Sequence, residues 1–326
     1  MVEVPRLRPE DAEAAVLVDV YAAGVSFPDL LMSHGRYQRK PPLPFVPGVE
    51  VAGVVASAPA GSGFRPGDRV AAFIRVGGWT DRVAVRPELT FPLPDAISFR
   101  SGAGMPMNYL TAHLALTRRG GLRQGETLLV HGAAGGLGTA LLQAGRALGA
   151  RVIGVVSTEE KAALARAAGA HETVLVDDWL ADVRALVPGG VDVLADTVGG
   201  GRFLDSVRAL GKEGRLLVLG FADGIATVAA NRLLLKNVDV RGVAWGSLIE
   251  DEPAYPRHQW SEVSHWHAAG HIRPVDGAAY PLEQAADALR DLEDRRATGK
   301  ITLTLREESG GPVVAEQNPN REAGTH

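Results

Sequence analysis

Cysteine is missing altogether from the 326 residues. With it go disulfides, thiol nucleophiles and thiolate zinc sites. Long apolar runs are missing as well. No stretch approaches the roughly 18 uninterrupted apolar residues of a membrane helix, so no membrane partner is expected. Lysine is sparse, confined to Lys40, Lys161, Lys212, Lys236 and Lys300 among many arginines. The formal net charge of −4, with no basic stripe, gives no reason to expect nucleic acid as a partner. Met1–Glu10 is charged and broken by proline, unlike a secretory signal, and the expected compartment is the cytoplasm. What remains is a 46% hydrophobic chain with ample core, long enough for about two domains.

Its most informative stretch runs Thr127-Leu-Leu-Val-His-Gly-Ala-Ala-Gly-Gly-Leu-Gly138. Thr127–Val130 reads as a strand buried on both faces, followed by a helix from Thr139 to Ala150 with apolar spacing Leu137, Leu141, Ala144, Leu148. Gly135, Gly136 and Gly138 allow a tight turn and close approach of backbone to ligand. The helix aims free N–H groups and its positive dipole end at whatever fills the turn, as a pyrophosphate would. Arg151–Val156 completes a β-α-β unit. Ala133, Gly135 and Gly138 stand at the three glycine positions of the dinucleotide fingerprint; the match is imperfect but its context is the required one. Ala133, Ala134, Gly135, Gly136, Leu137 and Gly138 are therefore expected cofactor contacts. The second strand ends at Val156-Ser157-Thr158, without the acid that holds a ribose 2′-OH in NAD sites. Ser157, Thr158 and Lys161 suit a 2′-phosphate instead, which points to NADPH. Glu159 and Glu160 weigh against a phosphate there, or read as first-turn acids favourable to the helix dipole.

Residues 15–100 read as β-rich. Ala15–Tyr21, Glu50–Ser57, Arg69–Phe73 and Trp79–Val85 are short apolar runs separated by turn chemistry such as Pro47-Gly48 and Gly77-Gly78, a pattern suited to a small irregular barrel. From about Met105 strands and helices alternate. Thr173–Val176, Val191–Asp196, Leu216–Gly220 and Val238–Gly242 are expected strands; Lys161–Ala168, Trp179–Leu186 and Arg202–Leu210 are expected helices. This is the pattern of a doubly wound parallel sheet. Helices at Gln259–Ala269 and Leu282–Arg296 and a strand at Lys300–Leu305 return to the first domain. The expected organisation is 1–104, 105–246, 247–305 back in the first domain, and a disordered tail over 306–326.

The order of motifs resembles the zinc-independent quinone oxidoreductase (zeta-crystallin-like) branch of the medium-chain dehydrogenase/reductases. The resemblance rests on Ala22–Asp29, Gly35-Arg36-Tyr37, Pro44–Gly53, Asn108–Ala112, His131–Gly138, Leu233–Asn237, Val243–Gly246 and Arg296–Lys300, and covers about residues 3–305. It implies an α/β fold: an N-terminal GroES-like β-rich barrel domain plus a Rossmann domain with a doubly wound parallel sheet. Relatives begin with a longer N-terminal strand pair, which this chain enters partway through. Ser26 stands where relatives often carry Asn, and Asp177 where some place a tyrosine near the 2′-phosphate. The zinc-dependent cousins need Cys and His ligands where this chain has Ser26 and Val49, so no metal is expected. His258, His265, His267 and His271 read as a solvated helix face.

Without a Lewis acid, the resemblance implies acceptors that are already electron-poor: quinones, or alkenes conjugated to a carbonyl. Such an acceptor needs a donor where anionic charge develops. Tyr37, in a loop that overhangs the cleft by resemblance, is the first candidate; Ser26 and Asn108 are the others. Thr111 is expected at the nicotinamide side, the backbone of Leu219-Gly220-Phe221 at its carboxamide, and Arg296 and Lys300 at the cofactor's phosphates. A homodimer through edge strands near Val238–Gly242 is implied as well. An enone or enoyl reductase, or a protein that binds NADPH without turnover, are the alternative functions.

Overall fold

A computed structural model of the chain describes residues 14–308. The first sheet is built from β1 (Val16–Gly24), β2 (Glu50–Ser57), β3 (Arg69–Phe73), β4 (Arg82–Val85) and β5 (Thr90–Pro92). It is completed from the far end of the chain by β12 (Asp276–Pro281) and β13 (Lys300–Thr304), in the order β12-β13-β1-β2-β3-β5, with β4 also on β1. Three antiparallel partners surround β1, so its apolar residues face core on both sides. Helix α1 (Phe27–Ser33) leaves the end of β1, while α2 (Phe99–Gly102) and α3 (Met105–Leu114) lead out of this sheet.

The second sheet is parallel throughout. Its strands are β6 (Thr127–His131), β7 (Arg151–Val156), β8 (Glu172–Leu175), β9 (Val191–Asp196), β10 (Leu210–Val218) and β11 (Asp239–Gly242). The crossovers carry α4 (Gly136–Ala147), α5 (Glu159–Ala167), α6 (Trp179–Leu186), α7 (Phe203–Ala209) and α8 (Asn231–Leu234). The order β8-β7-β6-β9-β10-β11 is doubly wound, and the direction of winding reverses between β6 and β9. Ligands of such sheets sit at that reversal, outside the carboxyl ends of the strands.

Helices α9 (Trp245–Asp251) and α10 (Tyr255–Ala268) then cross back over α3. Gln259 stitches them together: it donates to the Leu110 carbonyl at 2.9 Å and accepts from the Trp245 indole at 2.7 Å. Helix α11 (Ala285–Glu293) precedes β13.

Four local readings of the sequence are corrected. Only Arg82–Val85 of the run from Trp79 is strand, because the Trp79 indole turns inward to donate to the Gly24 carbonyl at 3.1 Å. The helix expected over Leu282–Arg296 begins as a 3-10 turn at Leu282–Gln284 and stops at Glu293, before Arg295 takes a left-handed φ of 58°. Strands β5 and β12 were not foreseen. The segment read as a disordered tail begins in order: the Glu308 carboxylate accepts from Arg69 at 2.9 Å and from the Phe99 backbone at 3.1 Å. Residues 309–326 lie outside the described residues.

Candidate active site

The glycine turn lies at the carboxyl end of β6, beside the sheet's reversal. Gly132 makes the turn itself, with φ at 65°, where a side chain would be strained. Sequence reasoning assigned that role to the later glycines; the strand-end position of Gly132, directly after His131, was the available signal. Gly138 serves close packing, since a Cβ there would stand 2.1 Å from the Gly132 carbonyl oxygen. Gly135 caps α4, and the N–H groups of Gly136, Leu137 and Gly138 open the helix without partners inside it. Ala133 and Ala134 are buried beneath the turn.

At the end of β7, Ser157 and Thr158 are exposed. The Thr158 hydroxyl caps α5 by accepting from the Lys161 backbone at 3.2 Å. The Lys161 ammonium donates to the Arg295 carbonyl at 2.8 Å, and partial burial lowers its pKa. On the other side of the reversal, Leu219 donates to the Asp196 carbonyl at 2.9 Å, and Gly220 lies against the Thr197 backbone. Phe221 is 41% exposed. The segment 295–300 crosses the turn between these edges. Gly299 donates to the Ala134 carbonyl at 2.8 Å, and Arg295 pairs with Asp223 beside Phe221, also at 2.8 Å.

Across the cleft the first sheet brings four polar groups together. Ser26 caps α1, and Asp29 reaches back so that one oxygen accepts from the Ser26 N–H and the other from the Gly48 N–H, both at 2.9 Å. Burial pushes the Asp29 carboxyl up to about 7, against the opposing pull of those two N–H groups and the Lys300 charge. The Ser26 hydroxyl donates to Glu50 at 2.9 Å. The Lys300 ammonium donates to the Ser26 hydroxyl at 2.7 Å and to the same Glu50 oxygen at 2.5 Å. The second Glu50 oxygen accepts from the Met107 N–H at 2.8 Å, in the first turn of α3. Every buried polar side chain in this cluster thus has a partner, as burial demands.

The expected site residues divide accordingly. Lys300, expected at the cofactor's phosphates, instead sends its ammonium into the first sheet. Its stem passes the start of α3, where a Cβ on Gly104 would fall 2.6 Å from Lys300 Cγ. Arg296, expected at the same phosphates, pairs on the surface with Asp291 at 2.8 Å and Asp294 at 2.5 Å. Asn108 and Ser26 both flank Lys300. The Asn108 amide abuts Gly136, and one helical turn later the Thr111 hydroxyl is buried with no partner. Glu50 was missed, although a lone acid inside Val49–Val55 is the type of residue that needs a buried partner. Tyr37 is half-buried in the loop after α1. Burial raises its pKa, and the charges of Arg39, Arg75 and Asp29 all act on it.

The turn fits a dinucleotide: it offers unpaired N–H groups, a backbone that tolerates no Cβ at Gly138, and an orphaned Thr111 hydroxyl on the helix facing it. The residues do not fit zinc. The chain has no thiol, Val49 offers no ligand atom, and the Ser26 oxygen already carries an ammonium. Among the described residues, no three acids or histidines stand close enough to hold a metal ion.

The alcohol dehydrogenase GroES-like domain model matches residues 12–95, and the zinc-binding dehydrogenase model matches residues 136–268. With the two sheets described above, these matches define a two-domain dehydrogenase of the medium-chain type. Quinone oxidoreductase-like protein 2 of Rattus norvegicus is 39% identical over 297 residues, 89% of this chain and 85% of the relative. A probable oxidoreductase from Mycobacterium abscessus superposes with a TM-score of 0.83 at 42% identity, covering 93% of each chain. The quinone oxidoreductase from Thermus thermophilus, whose structure is also known in complex with NADPH, gives 0.79 at 35% identity, covering 93% of this chain and 95% of that one. The chain belongs to the quinone oxidoreductase-like group of the medium-chain dehydrogenase/reductase superfamily.

Proposed function

We propose that the chain is an NADPH-dependent, zinc-independent reductase of quinones. The observation that supports this reading is the buried Lys300–Ser26–Glu50 cluster: Ser26, at a position where the zinc-dependent cousins carry a metal ligand by the resemblance, has its hydroxyl engaged by an ammonium and a carboxylate. The acceptor must then be electron-poor before it binds. Bound NADPH supplies the hydride. The chain's own residues orient it: the N–H groups of Gly136, Leu137 and Gly138 face the pyrophosphate, Thr111 and the backbone of Leu219–Phe221 hold the nicotinamide end, and Ser157, Thr158 and Lys161 hold the 2′-phosphate. An ammonium has three donors, so Lys161 can keep its bond to Arg295 and still take a phosphate oxygen. Tyr37 donates to the acceptor oxygen as negative charge develops. Ser26 and Asn108 fix the walls between acceptor and nicotinamide.

The test is NADPH oxidation followed at 1,4-naphthoquinone and, separately, at a panel of simple enones. Turnover of the quinone without added metal, unchanged after exhaustive chelation, is the expected result. Turnover confined to enones overturns the substrate, dependence on zinc overturns the mechanism, and NADPH binding without any turnover overturns the enzyme.

We further propose a homodimer through the edge strand β11. It is supported by the exposed Ile225, Leu234 and Leu235 on the connection leading into that strand, which would otherwise be an aggregation liability. Sedimentation that gives a monomer at micromolar concentration would refute it.

A further inference from the structure

Around Tyr37 the balance of charge is lopsided. Arg39, two residues further along the same loop, and Arg75, just beyond β3, both place a guanidinium nitrogen on one oxygen of Glu250 in α9, at 2.6 Å and 2.5 Å. Arg86 adds a third positive charge that acts on both Arg75 and Glu250. Among the described residues, the half-exposed Glu250 carboxylate thus meets two arginines in direct contact and lies in the field of a third, in a protein whose net charge is negative. A guanidinium fork can bind a carboxylate or sulfonate through two parallel bonds, whereas here two forks crowd a single oxygen. Solvent-exposed ion pairs of this kind contribute little stability, so an incoming anion displaces Glu250 at small cost.

We infer that the acceptor carries an anionic substituent, held by Arg39 and Arg75 beside the Tyr37 hydroxyl, with Glu250 as the internal anion it replaces. This rests on reading the Tyr37 side of the cleft as the acceptor site. The substrate class is then an electron-poor ring or enone bearing a carboxylate or sulfonate, not a neutral lipid-like quinone. Glu250 leaves neutral ligands unopposed but competes with every anionic one, so its removal and the removal of either arginine act with opposite signs.

The experiment compares 1,4-naphthoquinone with its 2-sulfonate in the full chain, and measures calorimetric binding of redox-inert naphthalene-2-sulfonate to the NADPH-loaded protein. The two quinones differ in intrinsic reactivity, but that difference cancels when the ratio of their kcat/KM values is compared between wild type and variant. Arg75→Gln, and separately Arg39→Gln, should lower the sulfonate-to-neutral ratio about 10- to 100-fold, the range for one charge-assisted hydrogen bond. Glu250→Gln should raise it and tighten naphthalene-2-sulfonate. Added salt should erode the preference. If both quinones fall equally in the arginine variants, and Glu250→Gln falls with them, the cluster is only a latch between α9 and the loop and the inference is overturned. Reduction of the neutral quinone with no sulfonate effect overturns the inference while leaving the quinone reading intact. Arginine-dependent binding of naphthalene-2-sulfonate without reduction of either quinone leaves the anion site standing and removes the quinone reading. Neither binding nor turnover removes both.

Discussion

The two walls of the cleft handle buried polarity in different ways. On the cofactor side the glycine turn presents main-chain N–H groups, and the His131 ring below it is kept neutral. His131 is fully buried against Trp179, shares a 3.0 Å contact with the Ser206 hydroxyl, and burial pushes its pKa down to about 4. On the first-sheet side the fold pairs buried polar side chains one by one: Lys300 with Glu50, and the Asp29 carboxyl with two backbone N–H groups. The first wall depends on atoms that every residue has, so it is sensitive to added side-chain bulk. The second depends on particular partners, so it is sensitive to the loss of either one.

The largest expected effect breaks the second wall. Lys300→Met leaves the Glu50 carboxylate buried without its cation and should cost about 3–5 kcal/mol in urea unfolding. Lys300→Met combined with Glu50→Leu should cost clearly less than the single change. Equal or larger loss in the double variant would mean that packing, not charge pairing, dominates there.

Next comes chemistry. Tyr37→Phe keeps the ring and removes the donor; turnover should fall roughly 10- to 1000-fold while NADPH affinity holds. Unchanged turnover would return Tyr37 to a packing role.

A smaller effect probes the 2′-phosphate contact proposed for Lys161. Lys161→Ala should weaken NADPH by roughly 1–3 kcal/mol and leave NADH nearly unchanged, as measured by fluorescence titration. The same loss for both cofactors would show that the Arg295 contact, not a phosphate, is what the lysine serves.

The smallest effect sharpens the contrast by its sign. Asp29 is raised from its ordinary 3.8 to about 7, so the fold favours its neutral form and its contribution declines as pH rises across that window. His131 is lowered from 6.5 to about 4, so its contribution is complete above 6.5 and is lost as pH falls toward 4. Asp29→Asn should flatten the decline toward neutral pH, and His131→Phe the decline toward acid. Thermal melts from pH 4 to 8 showing both variants parallel to wild type would rule out these linkages.

Much of this molecule was readable where the signal is local. The runs Glu50–Ser57, Arg69–Phe73, Arg151–Val156 and Val191–Asp196 are strands to the residue, because apolar runs between turns leave few other choices. Helix α1 carried its own signal, Ser26 at the cap with Pro28 and Asp29 behind it, and went unread beside the apolar run before it. The three-residue β5 and the mostly exposed β12 have too little pattern to announce themselves. The Lys300–Glu50 pair was beyond local reading altogether, because nothing near either residue names a partner 250 positions away. A lysine in a closing segment looks like a phosphate ligand until the fold shows which way its stem runs.

That separation also sets a timetable. Strand β1 is made early, but its neighbour β13 is among the last segments of the described chain to be synthesised. The parallel sheet between them can close as soon as β11 emerges, since all of its strands are contiguous in sequence. A nascent chain therefore holds a finished nucleotide module beside an unfinished first sheet, with the β13-facing edge of β1 open and the Glu50 carboxylate waiting for its ammonium. For this protein the vulnerable interval in biogenesis ends only when β13, through Thr304, has been made.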